Sequence, residues 1–134
     1  MEFISSLENV KENDLQGFFV GWQNPPTPAR HLELLRDSDY VLLALDPQSK
    51  KVVGFATAIT DKHLAAYIPF LEVLPEYQKR GIGKELVTRM LLVLKEFYMI
   101  DLLCDTELQV FYEDLGMKKA AGMMQRNYTK QNGI

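Results

Sequence analysis

The sequence predicts an α/β fold, a mixed sheet with helices on both faces, and three observations carry that reading. Two strand-like runs, residues 40–45 and 52–60, flank Asp46-Pro47-Gln48-Ser49, which is turn chemistry, so they form an antiparallel hairpin. Residues 64–74, 82–97 and 99–104 read as strand, helix and strand, which favours parallel strands joined by a right-handed crossover. The run at 64–74 is too continuously apolar for a one-sided sheet, so it is expected to be central and covered on both faces.

The elements follow in order. Residues 3–7 supply a short first strand. Val10, Leu15, Phe18 and Phe19 give residues 10–20 a weak helical pattern. Pro25, Pro26 and Pro28 keep residues 21–28 out of regular helix. Residues 29–36 form a short helix with Leu32, Leu34 and Leu35 available for burial. Pro69 lies inside the third strand and cannot donate to a ladder, which predicts a bulge or a local splay. The clearest helix spans 82–97. Ile82, Leu86, Met90, Val93, Leu94 and Phe97 share one face, and Lys84, Glu85, Thr88, Arg89, Lys95 and Glu96 share the other. Leu92 falls within the polar face, either as an exposed leucine or as a contact to a second subunit. Residues 99–104 read as a buried strand, 106–115 as a short helix stopped by Gly116, and 117–128 as one or two closing strands.

Composition sets outer bounds. The 134 residues suit one domain, 1–134, with a substantial core. A net charge of −3 offers no general basic field, so neither nucleic acid nor membrane is an expected partner. No apolar segment reaches membrane-spanning length, and the N-terminus lacks a basic region followed by an apolar stretch. Cys104 is the single cysteine, which excludes an intrachain disulfide and suits a reducing compartment. A cytoplasmic protein is the expectation. Within its apolar run Cys104 reads as a buried, inert thiol, poorly placed for a covalent intermediate. His31 and His63 lack clustered ligand partners, so no metal site is expected.

The most informative segment is residues 73–84, V-L-P-E-Y-Q-K-R-G-I-G-K, between a strand and an amphipathic helix. Gly81 and Gly83 lack side chains, so a phosphate can approach the main chain closely. The first N–H groups of the helix have no partner within it and point at such an anion. Other phosphate motifs fit poorly. A dinucleotide fingerprint needs a third glycine where Leu86 stands, and a P-loop needs glycine at Gln78 and Ser or Thr at Glu85. Taken alone, the Gly81-Ile82-Gly83 turn is equally compatible with an unliganded strand–helix junction.

Residues 73–83, Val-x-Pro-x-Tyr-Gln-x-x-Gly-x-Gly, resemble the acyl-CoA signature of the GNAT superfamily of N-acetyltransferases. Residues 108–117, L-Q-V-F-Y-E-D-L-G-M, resemble that family's closing helix, in the family's order. The resemblance covers roughly residues 40–128. It implies a mixed, mostly antiparallel sheet with helices on both faces. The central parallel strand pair, the run containing Pro69 and residues 99–104, would splay to admit the pantetheine arm of acetyl-CoA. By position, Val73 would hydrogen-bond the pantetheine or acetyl group. Gln78, Lys79, Arg80, Gly81, Ile82, Gly83 and Lys84 would hold the pyrophosphate, with Arg80 and Lys84 either adding charge or remaining solvated. Asp105 stands where the family often has an asparagine reaching the cofactor, and an ionised aspartate can only accept hydrogen bonds.

The resemblance also assigns chemistry. Tyr112 matches the family's general acid for the departing thiolate, with a core packing role as its alternative. The glutamate that many members carry six residues before the valine is Tyr67 here. Glu72 is the one acidic residue in the strand and is a candidate base, or else a structural partner of a cation. Deprotonation through ordered water is also open. Trp22, Tyr67 and Phe70 are expected to line the acceptor pocket, although Trp22 would equally plug the core edge. The implied function is acetyl transfer from acetyl-CoA to a primary amine of a small molecule or peptide, by direct attack, in a possible homodimer. The alternative is a non-catalytic acyl-CoA sensor or regulatory module.

Overall fold

A computed structural model describes all residues, Met1–Ile134. Five strands form one sheet in sequence order: β1 (Glu2–Ile4), β2 (Tyr40–Leu45), β3 (Val52–Thr60), β4 (Ala65–Val73) and β5 (Met99–Asp101). All neighbours are antiparallel except β4 and β5, which run parallel. The sheet is therefore mixed and mostly antiparallel, as predicted. The β2–β3 turn forms where Asp46 directs it: Oδ1 accepts the N–H groups of Gln48 and Ser49 at 2.8 and 3.0 Å. Between β3 and β4, Asp61 Oδ1 accepts the N–H groups of His63, Leu64 and Ala65.

Helix α1 (Pro28–Asp37) starts on Thr27, whose hydroxyl accepts the Arg30 N–H, with proline in the first turn. Helix α2 (Ile82–Val93) follows the glycine loop. The two helices cover opposite faces, and adjacent residues of β3 show it. A Cβ on Gly54 would lie 3.2 Å from Leu86 Cδ1 and 3.4 Å from Ile82 Cγ2, so glycine lets α2 approach closely. Phe55 projects the other way, with its ring 4.4 Å from that of His31 on α1. The core is continuous through β2, β3, α1 and α2, with Leu35, Leu43, Phe55, Leu86, Met90 and Leu94 fully buried.

The register between β3 and β4 slips between Thr57↔Phe70 and Ile59↔Tyr67, so β4 holds an extra residue at Ile68-Pro69. The proline thus occupies the bulge its missing donor predicts. Beside it, β4 and β5 pair only at Ala65↔Met99, Ala66↔Ile100 and Tyr67↔Asp101. Beyond those pairs the strands diverge.

Several elements differ from expectation. Residues 10–20 contain only one 3₁₀ turn, Glu12–Leu15, because Gly17, Phe19 and Gly21 all have left-handed φ, which no continuing helix accommodates. Helix α2 ends at Val93, not at 97, as Leu94 leaves helical geometry. β5 is three residues long and mostly exposed, not a buried strand, because it is the sheet edge with a neighbour on one side only. Residues 117–127 form no closing strand, and the chain regains a turn only at Tyr128–Lys130.

Candidate active site

The divergence of β4 from β5 opens a cleft of about 300 Å³. Ile68, Pro69 and Leu71 line one wall, Leu102 to Asp105 the other, and Leu108, Tyr112, Met124 and Arg126 the remainder. The exposed backbone of β4 faces this cleft. Leu74 N–H donates to Val53 carbonyl at 2.8 Å, and Gly54 pairs with Val73. Strand alternation then turns the polar groups of Leu71 and Val73 away from β3, toward the side where β5 no longer pairs. The Gln78 amide occupies one of them, donating from Nε2 to the Val73 carbonyl at 2.9 Å. This bond folds the loop back onto the end of β4.

The glycine loop is built by two left-handed residues, Lys79 at φ 63° and Gly81 at φ 81°. Alternating handedness turns successive N–H groups to one side, the geometry of an anion nest. The N–H groups of Lys79, Arg80, Gly81, Ile82, Gly83 and Lys84 have no acceptor within the protein; the first amide of this helix to find one is Glu85, on the Gly81 carbonyl. Gly83 packs beside the cleft, since a Cβ there would lie 3.7 Å from Val73 Cγ2 and 3.9 Å from Phe111 Cζ. Arg80 does not extend over the loop. Its guanidinium lies 5.0 Å from the centre of the Tyr77 ring and donates to the Glu76 carbonyl. Tyr77 in turn donates to Asp46 Oδ2 at 2.9 Å, tying the loop to the β2–β3 turn. Lys79 and Lys84 remain exposed.

Helix α3 (Gln109–Glu113) separates its two aromatic residues. Phe111 turns toward Gly83, and Tyr112 enters the cleft, edge-on to Phe111 at 4.9 Å. Burial pushes the Tyr112 phenol up to about 12, with the nearby Cys104 adding to the shift. Its hydroxyl has no hydrogen-bond partner in the chain. Cys104 is half-buried and lines the same cleft, so it is not the sequestered thiol its apolar run suggests. Asp105 also lines the cleft and is exposed.

Glu72 lies on the α1 face, opposite Phe55 in the register. Its Oε1 accepts the Phe19 N–H at 2.8 Å, and its Oε2 accepts the Val20 N–H at 3.2 Å. Both oxygens hold the segment before α1, including left-handed Phe19. The residue sits neither in an apolar strand interior nor against a cation, so it takes a backbone-clamping position that the sequence does not show. Trp22 and Phe70 come together, 6.4 Å apart, and both stack around Phe19. Tyr67 precedes the bulge and makes no ring contact with them.

Met124 and Arg126 are cleft residues that sequence reasoning missed, because residues 117–128 were expected to be sheet. His31 is a core residue and not part of this cleft. It is 1% exposed among Phe18, Phe19 and Phe55, with neither ring nitrogen hydrogen-bonded, and burial lowers it to about 4. It adjoins a second cavity of about 270 Å³ walled by Pro25, Pro26 and Pro28. No group of three or more His, Cys, Asp and Glu side chains is placed to hold a metal ion, and no helix is long and apolar enough to cross a membrane.

A mixed sheet that splays beside a glycine-built helix start defines a class of acyltransferase folds, and comparison with known proteins makes the class specific. The acetyltransferase (GNAT) family model matches residues 7–117. The chain belongs to the GNAT family of acetyltransferases. A Deinococcus radiodurans R1 protein classed with the acetyltransferases is 44% identical with a TM-score of 0.95, over 99% of this chain and 92% of that one. A GNAT family acetyltransferase of Streptococcus pneumoniae TIGR4 is 29% identical with a TM-score of 0.75, over 94% and 97%. The chloroplastic GCN5-related N-acetyltransferase 2 of Arabidopsis thaliana is 37% identical over 85% of this chain, which spans 52% of that protein's length.

Proposed function

We propose that the chain transfers acetyl from acetyl-CoA to a primary amine by direct attack in a ternary complex. The observation that carries this reading is the run of N–H groups from Lys79 to Lys84, without protein acceptors, beside a cleft that Tyr112 enters. Those donors suit a diphosphate, and the backbone of Leu71 and Val73 suits an amide-bearing arm. Gln78 contributes indirectly, by pinning the loop to Val73. Gly81, Ile82 and Gly83 act through backbone. Lys79 and Lys84 supply local positive charge in a chain of net charge −3, whereas Arg80 braces Tyr77. Asp105 serves as a hydrogen-bond acceptor at the cleft.

Acetyl-CoA supplies an acyl group activated as a thioester. The chain's own residues then manage protons. The amine arrives as ammonium near neutral pH and loses one proton to become a nucleophile; net, nitrogen loses a second proton and the thiolate gains one. A phenol at about 12 transfers its proton uphill to a thiolate of ordinary basicity, about 8.5 for a free thiol. Tyr112 therefore acts as a hydrogen-bond donor to the sulfur while charge develops there, and the proton that nitrogen sheds after the C–N bond forms passes to the thiolate as the C–S bond breaks. Glu72 holds the acceptor-side segment, and ordered water or Glu72 itself takes the ammonium proton. Trp22 and Phe70 form an aromatic wall on that side, which favours a cationic amine. The lone thiol suits a reducing compartment such as the cytoplasm.

Thiol release from acetyl-CoA, measured across a panel of primary amines, tests the proposal. Amine-dependent release that survives Cys104→Ala supports direct transfer. Loss of release in that variant replaces it with a covalent route. One observation favours the sensor reading: Glu72 is already engaged by two backbone donors. Tight acetyl-CoA binding without release on any amine would select it.

A further inference from the structure

Glu72 is a half-buried carboxylate without a cation. It receives the N–H groups of Phe19 and Val20, one on each oxygen, and no lysine, arginine or histidine forms an ion pair with it. A carboxylate oxygen accepts in two directions, so each keeps one for a further donor. Aromatic rings stand around it. Phe70 lies two residues back on the same face of β4, because side chains alternate and the bulge comes earlier in the strand. The ring of Phe19 packs 4.9 Å from that of Trp22 and 6.1 Å from that of Phe70. The Trp22 N–H donates to the Phe19 carbonyl at 3.2 Å, and 37% of Trp22 remains exposed. The segment is held in a costly shape: Phe19 has φ 62°, between Gly17 at 93° and Gly21 at 83°. A bulky residue in the left-handed region points to a site that its surroundings impose. A carboxylate lacking a counter-ion, set beside aromatic faces, has the chemistry of an ammonium site.

We propose that Glu72, Trp22 and Phe70 bind a second cationic nitrogen of the acceptor, one that is not acetylated, so that the substrate is an aliphatic diamine. This rests on the amine-acetylating reading above and names its acceptor class. The reacting nitrogen belongs at the cleft, where Pro69 forms part of the wall. Glu72 stands three residues further along β4, about 10 Å at roughly 3.3 Å per residue. A linker of about four or five methylenes, with the reach of the Glu72 side chain, spans a gap of that order. Glu72 then stays ionised throughout, and the proton of the reacting nitrogen leaves through water.

Thiol release from acetyl-CoA with diaminobutane and diaminopentane, against butylamine and pentylamine, tests it. Each diamine should show a kcat/KM about 10-fold above the monoamine of equal length, the scale of one ammonium in an aromatic and anionic site. Glu72→Gln removes the charge but keeps an acceptor for the Phe19 N–H. Trp22→Leu keeps the charge and removes the π face. Both should erase the preference for diamines, whereas loosened packing alone slows both kinds of amine alike. Binding is read separately. Trp22 is the single tryptophan, so its emission reports on this site alone. Tetramethylammonium, a cation that cannot be acetylated, should change that emission saturably, and about 10-fold more weakly in Glu72→Gln. Equal use of diamines and monoamines would overturn the proposal. So would a preference that survives both variants, or emission indifferent to tetramethylammonium. Absence of release with every amine, beside a saturable emission change, overturns the transferase reading and leaves the cation site standing.

Discussion

The Tyr112 hydroxyl meets no acceptor in the chain, and burial keeps it protonated far above neutral pH, as a hydrogen-bond donor to a departing sulfur requires. Tyr112→Phe should lower kcat by about 100-fold, the lower end for removing a preorganised hydrogen-bond donor, while calorimetric CoA affinity stays unchanged. Glu72→Gln separates clamp from base. It keeps one acceptor for the Phe19 N–H, so a clamp predicts a raised KM with kcat within a few-fold, and a base predicts lost kcat at normal KM. His31 makes stability pH-dependent. The unfolded chain takes a proton near 6.5 and the folded chain only near 4, so the unfolded state binds more protons between those values. Stability should be full above about 6.5 and erode by up to about 3 kcal/mol as pH falls to about 4, which urea midpoints across that range would show. His31→Leu should flatten the dependence.

The loop entering α2 is an element whose conformation and chemistry separate by mutation. Gly81 sits at φ 81° with open space around its Cβ position, so Gly81→Ala should cost about 1–2 kcal/mol through backbone conformation alone and weaken CoA binding as the nest distorts. Gly83 is helical with ordinary contact distances, so Gly83→Ala should raise stability by about 0.5–1 kcal/mol on helix propensity. Its new methyl would crowd the gap between Val73 and Phe111, so CoA affinity should fall although the melting temperature rises. The elements most legible in the sequence were those whose signals are local. The Asp46 turn, the Pro69 bulge and the amphipathic α2 face were each specified by their own residues. The stretch at 10–20 was not, because its apolar spacing suggested helix while Gly17 and Gly21 set left-handed turns.

At the scale of the whole molecule, the site arises from a topological event, the failure of β4 and β5 to stay paired after Tyr67 and Asp101. The sequence carried this only as a proline in a strand and as resemblance to a family. The aromatic pair Trp22–Phe70, 48 residues apart in the chain, could be expected but not placed without the sheet. The clamp from Glu72 to Phe19 was invisible because its acceptors meet backbone donors, which leave no mark on residue identity. Met124 and Arg126 escaped for a related reason: the N–H groups of their segment meet no acceptor within the chain, so strand propensity there did not become strand. The central claim is that main-chain amides at the start of α2 bind the diphosphate of acyl-CoA. A heteronuclear NMR titration with CoA reads those amides individually. The resonances of Gly81, Ile82, Gly83 and Lys84 should shift downfield and saturate together with the cleft residues. Saturating CoA that moves the cleft but leaves these four amides in place would contradict the claim.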